Sequence, residues 1–207
     1  TIHNVLKIKF PEVKAILNGL DKKLMKESWE KTQINYPESI IINQSSITSS
    51  FENKISLPVV IKPTSSSGSQ GVSIISDKND IINAYNEALK YSEDGNVMFE
   101  DYIEGTHHDV NGLFWDGDFY SCGIGDRFFT PPPFPVPKYG FFPSILSRGK
   151  KIILYEFLEK GARAMGINHG PVKGDFVIKD NEVFVYEISP RFHGDIFTTN
   201  MQGYLEK

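Results

Sequence analysis

Apolar and polar positions divide this chain into short regular pieces. Residues 1–20 hold an apolar run, VLKIKF, and a second around Ile16 and Leu17 that ends at Asn18-Gly19. Asp21 then stands as the cap of a helix in which Leu24, Met25 and Trp29 recur at helical spacing, and Tyr36-Pro37 closes that piece. Residues 39–57 set one apolar triplet among Ser, Thr and Asn, which predicts a short strand and a loop. From Pro58 the pattern becomes regular: strand 58–62, loop 63–71, strand 72–76. A helix capped by Asn79 or Asp80 follows to Lys90, with Ile81, Ile82, Tyr85, Ala88 and Leu89 along one stripe, and strand 97–102 completes a β-β-α-β unit.

After Gly105 two strands are predicted, 109–115 and 118–123, joined by Asp116-Gly117, a strong hairpin signal. Five of the chain's twelve prolines fall within seven positions of the segment TPPPFPVPKYGFFP, so residues 130–143 are neither helix nor central strand. A long helix over 148–165 is stopped at Gly166. The stretch GDFVIKDNEVFVYEISPR reads as two β-rich runs about a turn near Asn181. If that turn has an odd number of residues centred on Asn181, Asp175 faces Glu187, Phe176 faces Tyr186 and Val177 faces Val185, with both carboxylates on one side of the sheet. An even turn would put them on opposite sides.

Composition narrows the function classes. The chain has 207 residues, 40% hydrophobic and 23% charged, which suits a globular protein with a real core. A net charge of −4 gives no overall attraction to nucleic acid or anionic membrane, so any anion site must be local. No apolar run approaches the roughly 18 residues of a membrane span. The single cysteine, Cys122, excludes an internal disulfide framework and suits a reducing cytoplasm. The chain starts at Thr1 and ends within what reads as a continuing segment, so a fragment of a longer protein is expected.

The stretch Val59 to Ile75, VVIKPTSSSGSQGVSII, carries the first candidate chemistry. Its Ser- and Gly-rich centre is either a slack linker or an anion-binding hairpin tip. Strands on both sides favour the tip, in which Gly68 and Gly71 take positive φ and let successive N–H groups converge. A Walker loop would need Gly-Lys-Ser/Thr and a dinucleotide fingerprint would open a helix; neither fits. Lys62, six residues before Gly68, would set an ammonium beneath whatever the loop covers.

Four motifs in order resemble the ATP-grasp superfamily over roughly residues 20–195. DKKLM at 21–25 resembles its lysine-bearing helix start, PVVIKPTSSSGSQGV at 58–72 its lysine and glycine-rich lid, MFEDYIEG at 98–105 its adenine hinge, and GDFVI with EISPR at 187–191 its metal and phosphate motif. The resemblance implies an α+β fold of two subdomains with ATP between two antiparallel sheets. Residues 1–20 would be a remnant of, or linker from, a preceding domain; 38–99 would be the lid and 100–207 the central subdomain.

By the same resemblance Lys22 and Lys62 contact phosphates, and Ser67, Gly68, Ser69 and Gly71 cover them. Glu100, Asp101, Tyr102 and Ile103 hold the adenine, with Glu100 near the exocyclic amine and the backbone of Asp101 and Ile103 along the ring edge. His107 takes the family's ribose slot by count, with Asp109 the other candidate. Asp175, Glu187 and Ser189 would hold Mg²⁺, Ser189 standing where the family has asparagine. Arg191 would meet phosphate or an acyl-phosphate, Arg127 would reach the same cavity, and His193 and Asp195 would line the acceptor side. The implied reaction is that of an ATP- and Mg²⁺-dependent carboxylate-amine ligase acting through an acyl-phosphate on a small carboxylate and an amine, with a homodimer among the assemblies to test. The alternatives are phosphotransfer to a non-carboxylate acceptor and a silent nucleotide-binding module.

Overall fold

The computed structural model describes residues 9–43, 55–66 and 68–194. They form an α+β fold with two antiparallel sheets and divide into two compact units. Described residues 37–104 and 128–139 make one unit; those before 37, 105–127 and from 140 onward make the other.

The smaller unit is built on a sheet of order β1-β4-β2-β3, with β1 Ser39–Asn43, β2 Val59–Pro63, β3 Ser73–Ile75 and β4 Asn96–Asp101. β2 and β3 pair as an antiparallel hairpin, Val59 opposite Ile75 and Ile61 opposite Ser73, so the described residues between them, 64–66 and 68–72, belong to a hairpin tip and not a linker. The helix Ile81–Lys90, labelled α3 in chain order, lays Ile81, Ala84, Tyr85 and Ala88 on Val59, Ile61, Val97 and Phe99. Its entry differs from expectation. A 3₁₀ turn, Lys78–Asp80, precedes it and is capped by Asp77, whose carboxylate accepts from Asn79 N at 2.9 Å; Asp80 makes no side-chain cap.

The second sheet, most of it in the larger unit, has the order β7-β6-β5-β8-β9, with β5 Thr106–Trp115, β6 Asp118–Phe129, β8 Gly170–Lys179 and β9 Glu182–Ser189. Strand β7, Pro137–Phe141, lies within the proline-rich segment and takes the sheet edge, where missing N–H donors do least harm. Asp116 and Gly117 both have positive φ and form the two-residue hairpin turn expected of that pair. Helices α1 Val13–Leu20, α2 Lys22–Trp29 and α4 Arg148–Ala164 cover one sheet face, with Met25, Trp29, Leu154, Leu158 and Ala162 against Val110, Phe176, Val185 and Ile188. Asn18 and Gly19 do not end a segment but lie inside α1, where Asn18 Nδ2 donates to Met165 O at 3.0 Å. Asp21 caps α2 as expected, accepting from Lys23 N at 2.7 Å and Leu24 N at 3.1 Å.

The β8–β9 turn corrects the register argument. The turn is even: Asp180 and Asn181, both at positive φ, connect Lys179 to its partner Glu182. Phe176 therefore faces Val185, and Val177 faces Phe184, instead of the pairs expected from an odd turn. A bulge at Tyr186 then shifts the register by one, and Asp175 faces Glu187 after all. The apolar alternation Val183, Val185, Ile188 skips a residue at that bulge, which keeps all three in the core.

Candidate functional site

The sheet face opposite the helices of the larger unit is polar, and strand register arranges it in rows. Asp109 of β5 lies beside Asp175 of β8, which lies beside Glu187 of β9; in the next row Asn111, Lys173 and Ser189 are aligned. Period-two alternation puts these residues on one side, while Val110, Gly174 and Ile188 point to the other. Lys173 bridges two carboxylates, with Nζ 2.6 Å from Asp175 Oδ2 and 3.0 Å from Glu187 Oε1. Lys22, held by the first turn of α2, places Nζ 3.9 Å from Glu187 Oε2, and Ser189 Oγ donates to Glu187 Oε1 at 3.1 Å.

On the other flank, His193 Nε2 lies 2.8 Å from Asp175 Oδ1 and 3.5 Å from Asp109 Oδ1. Asn111 Oδ1 accepts from the His193 backbone N–H at 3.2 Å and lies 3.1 Å from its Nδ1. Arg127 pairs with Asp109, Nε donating to Oδ2 at 2.6 Å with Nη2 on the same oxygen. Burial would push the Asp175 and Glu187 carboxyls up, but the Lys173 ammonium holds both below the ordinary carboxylate range, aided by His193 at Asp175 and Lys22 at Glu187. Burial lowers the Lys173 pKa and the two carboxylates more than reverse that, so its pKa is raised. Asp109 is moved up, chiefly by burial.

Hard carboxylate and hydroxyl oxygens, such as those of Glu187 and Ser189, are the donor chemistry that suits Mg²⁺. The place between Asp175 and Glu187, however, is spanned by the Lys173 ammonium. Asp109, Asp175 and His193 also bring one ligand atom each within 4.8 Å of one another.

The smaller unit carries the other candidates. Lys62 Nζ pairs with Glu100 Oε1 at 2.5 Å, and the side chains are only 8% and 0% exposed. In the hairpin tip Gly68, Ser69 and Gly71 all have positive φ, at 67°, 59° and 71°. Ser66 Oγ donates to Gln70 O at 3.0 Å, and Val72 N donates to Ser69 O at 3.3 Å, so part of the tip is closed by its own backbone acceptors. Thr64 is buried and donates to Asp94 at 2.9 Å, which fixes the start of the tip. At the hinge, Asp101 N donates to Glu38 O at 3.0 Å and Tyr102 N to Pro58 O at 3.4 Å. Ser67 and Asp195 lie outside the described residues.

His107 belongs to the larger unit, where its ring stacks on Tyr186, centroids 6.3 Å apart and 8° from parallel. Burial, with the neighbouring His108, lowers its pKa to about 4. Arg191 is exposed; its Nη1 donates to Phe192 O at 3.0 Å, and among the described residues it pairs with no carboxylate. Sequence pattern alone does not single out Lys173, Asn111 or the buried set His108, Asp126 and Ser144. In that set Asp126 Oδ1 accepts from Ser144 Oγ at 2.5 Å and lies 2.9 Å from His108 Nδ1. The signal for Lys173 was present, since it stands two residues before Asp175 on the same strand face.

With two antiparallel α+β units, a lysine leading into a glycine-bearing hairpin tip, and a paired Asp and Glu before Ser-Pro-Arg, the molecule has the ATP-grasp fold. Residues 55–200 match the ATP-grasp domain family, and the chain belongs to it. In sequence it is similar to the carbamoyl phosphate synthase large chain of Vibrio cholerae, 23% identical over 190 residues that cover 86% of this chain and 16% of the relative. In structure it resembles an L-amino acid ligase from Bacillus licheniformis, with a TM-score of 0.75, 18% identity, and coverage of 98% of this chain and 47% of the other. It also resembles the D-alanine-D-alanine ligase of Helicobacter pylori, with a TM-score of 0.72, 21% identity, and coverage of 91% and 60%. The chain spans less than a third of the length of the curated relatives it matches. Among the described residues no helix is long and apolar enough to cross a membrane.

Proposed function

We propose that this chain is the ATP-binding part of an ATP- and Mg²⁺-dependent ligase of carboxylate-amine type that works through an acyl-phosphate. The reading is supported chiefly by one observation: Asp175 and Glu187 share one sheet face with Lys22, Lys173 and Ser189 despite an even hairpin turn, because a bulge restores their pairing. Such a face presents fixed charges of both signs to a polyphosphate, and positioning and charge neutralisation are what phosphoryl transfer requires. When bound, Mg²⁺ would supply Lewis-acid neutralisation of the phosphate oxygens.

The remaining roles fall to the chain's own groups. Lys22 and Lys62 neutralise phosphate oxygens, and the tip at Gly68, Ser69 and Gly71 acts as a lid over phosphate. The Asp101 carbonyl and Ile103 N–H line the adenine edge; the Asp101 N–H is committed to Glu38. Arg191, exposed and paired with no carboxylate among the described residues, is the guanidinium for the transferred phosphoryl group and the acyl-phosphate. His193 orients Asp175. The carboxylate attacks the γ-phosphorus and ADP leaves; an amine then attacks the acyl carbon, phosphate leaves, and the amine proton passes to solvent or a nearby base.

Calorimetric titration with Mg-ATP on wild type, Lys62→Ala and Glu187→Ala tests the site. Wild type is expected to bind with micromolar to millimolar affinity and both variants at least tenfold more weakly. No binding by folded wild type would end the proposal. Phosphate release by the full-length protein that needs both a carboxylate and an amine would identify the ligase; release with one acceptor alone would identify a phosphotransferase.

A further inference from the structure

Among the described residues, the charges on the polar sheet face balance without any metal ion. Three carboxylates, Asp109, Asp175 and Glu187, meet three fixed cations, Arg127, Lys173 and Lys22. Lys173 is central to that balance: it is 4% exposed, and its ammonium contacts the two carboxylates at 2.6 and 3.0 Å. A divalent ion set between Asp175 and Glu187 would compete with that ammonium for Asp175 Oδ2 and Glu187 Oε1. It would leave the ammonium buried beside a second cation and without its partners, an arrangement that proteins avoid. On the outer oxygens, His193 Nε2 lies 2.8 Å from Asp175 Oδ1 and Lys22 Nζ 3.9 Å from Glu187 Oε2, so both carboxylates have neighbours on that side as well.

Building on the nucleotide-site reading above, we infer that Lys173 is a tethered cation standing in for a protein-held divalent ion, so that the only Mg²⁺ at this site arrives with the nucleotide. Lys173 is thereby a determinant of metal stoichiometry: the face has little affinity for a divalent ion until ATP brings phosphate oxygens to complete its coordination. Ser189 fits this arrangement. A hydroxyl that donates to Glu187 orders the carboxylate but offers a weaker ligand than a second carboxylate would.

The test uses the full chain and Mn²⁺, a paramagnetic substitute for Mg²⁺ whose free concentration is read by electron paramagnetic resonance, with and without a non-hydrolysable ATP analogue. Wild type is expected to show no specific Mn²⁺ site without nucleotide and a single ion per bound nucleotide. Lys173→Met and Lys173→Gln are expected to bind Mn²⁺ without nucleotide at least tenfold more tightly than wild type and to take a second ion with it. Two ions per nucleotide in wild type, or a nucleotide-free Mn²⁺ site in wild type as tight as in the variants, overturns the inference. Folded variants that gain no Mn²⁺ also overturn it. If neither variant folds, the wild-type stoichiometry decides. If wild type binds no nucleotide, the function proposed above falls, whereas the nucleotide-free comparison still judges Lys173.

Discussion

Replacing Lys62 by methionine separates two roles carried by one side chain. The ammonium lies 2.5 Å from Glu100 Oε1, with the lysine 8% and the glutamate 0% exposed, so the pair is desolvated. Methionine keeps the stem and removes the charge, which takes the Lys62 counter-charge from the buried Glu100 carboxylate in the β2–β4 sheet. Breaking a buried pair from one side costs about 3–5 kcal/mol, and in a chain of this size each kcal/mol lowers Tm by roughly 2–4 °C, so a fall of about 6–20 °C is expected. Lys62→Met/Glu100→Leu removes both charges and is expected to recover most of the loss, since a hydrophobic replacement of a buried pair is often neutral. Nucleotide affinity should not recover with it, because the phosphate-facing charge is still missing. Thermal and urea denaturation followed by circular dichroism give the stability arm, and calorimetry with Mg-ATP gives the binding arm. A loss below about 1 kcal/mol in the single variant would refute the desolvated pair. Wild-type affinity in the double variant would refute the phosphate role.

Stability should rise with pH between about 4 and 6.5 because of His107. Its folded pKa, about 4, lies below the ordinary value, so the unfolded chain binds the extra proton in that window; the contribution, at most about 3 kcal/mol, is complete above the unfolded pKa and lost as pH falls toward 4. Urea midpoints across that range should flatten in His107→Gln, and an unchanged slope would contradict the assignment. Gly105→Ala should cost about 1–3 kcal/mol, since its new Cβ would lie 2.3 Å from Ile178 O, a backbone atom that moves only with the strand; denaturation at neutral pH measures it. Asp21→Ala should cost about 1 kcal/mol by removing the α2 cap and should also weaken Mg-ATP binding through Lys22, with Asp21→Ser restoring both.

The parts legible in the sequence were those fixed by local chemistry. The Asp21 cap, the Asp116-Gly117 hairpin, the tip after Lys62 and the helix stop at Gly166, where φ is +85°, each depend on a residue type with few alternatives. Cap position at α3 was not legible, because Asp77, Asn79 and Asp80 are all competent caps and only the 3₁₀ turn selects Asp77. Nor was the Lys62–Glu100 pair: its partners are 38 residues apart on different strands, and only the β2–β4 register brings them together. The polar face was half visible. An odd turn would bring Asp175 and Glu187 together and an even one would part them; the turn is even, and the bulge brings them together. Lys173 follows from its place two residues before Asp175, whereas Asp109 and Asn111 depend on β5 lying beside β8, a pairing across more than sixty residues of chain that no local pattern encodes.

The bulge at Tyr186 also insulates the carboxylates from the length of their own hairpin. It stores one spare residue between two registers: the tip pairs in one and the base, where Glu187 meets Asp175, in the next. Shortening the segment between them by one residue dissolves the bulge and leaves Glu187 opposite Asp175 on a regular ladder. The hairpin therefore tolerates loss of Tyr186 itself, whereas a residue lost at the loop end would slip Val183 and Val185 out of the core.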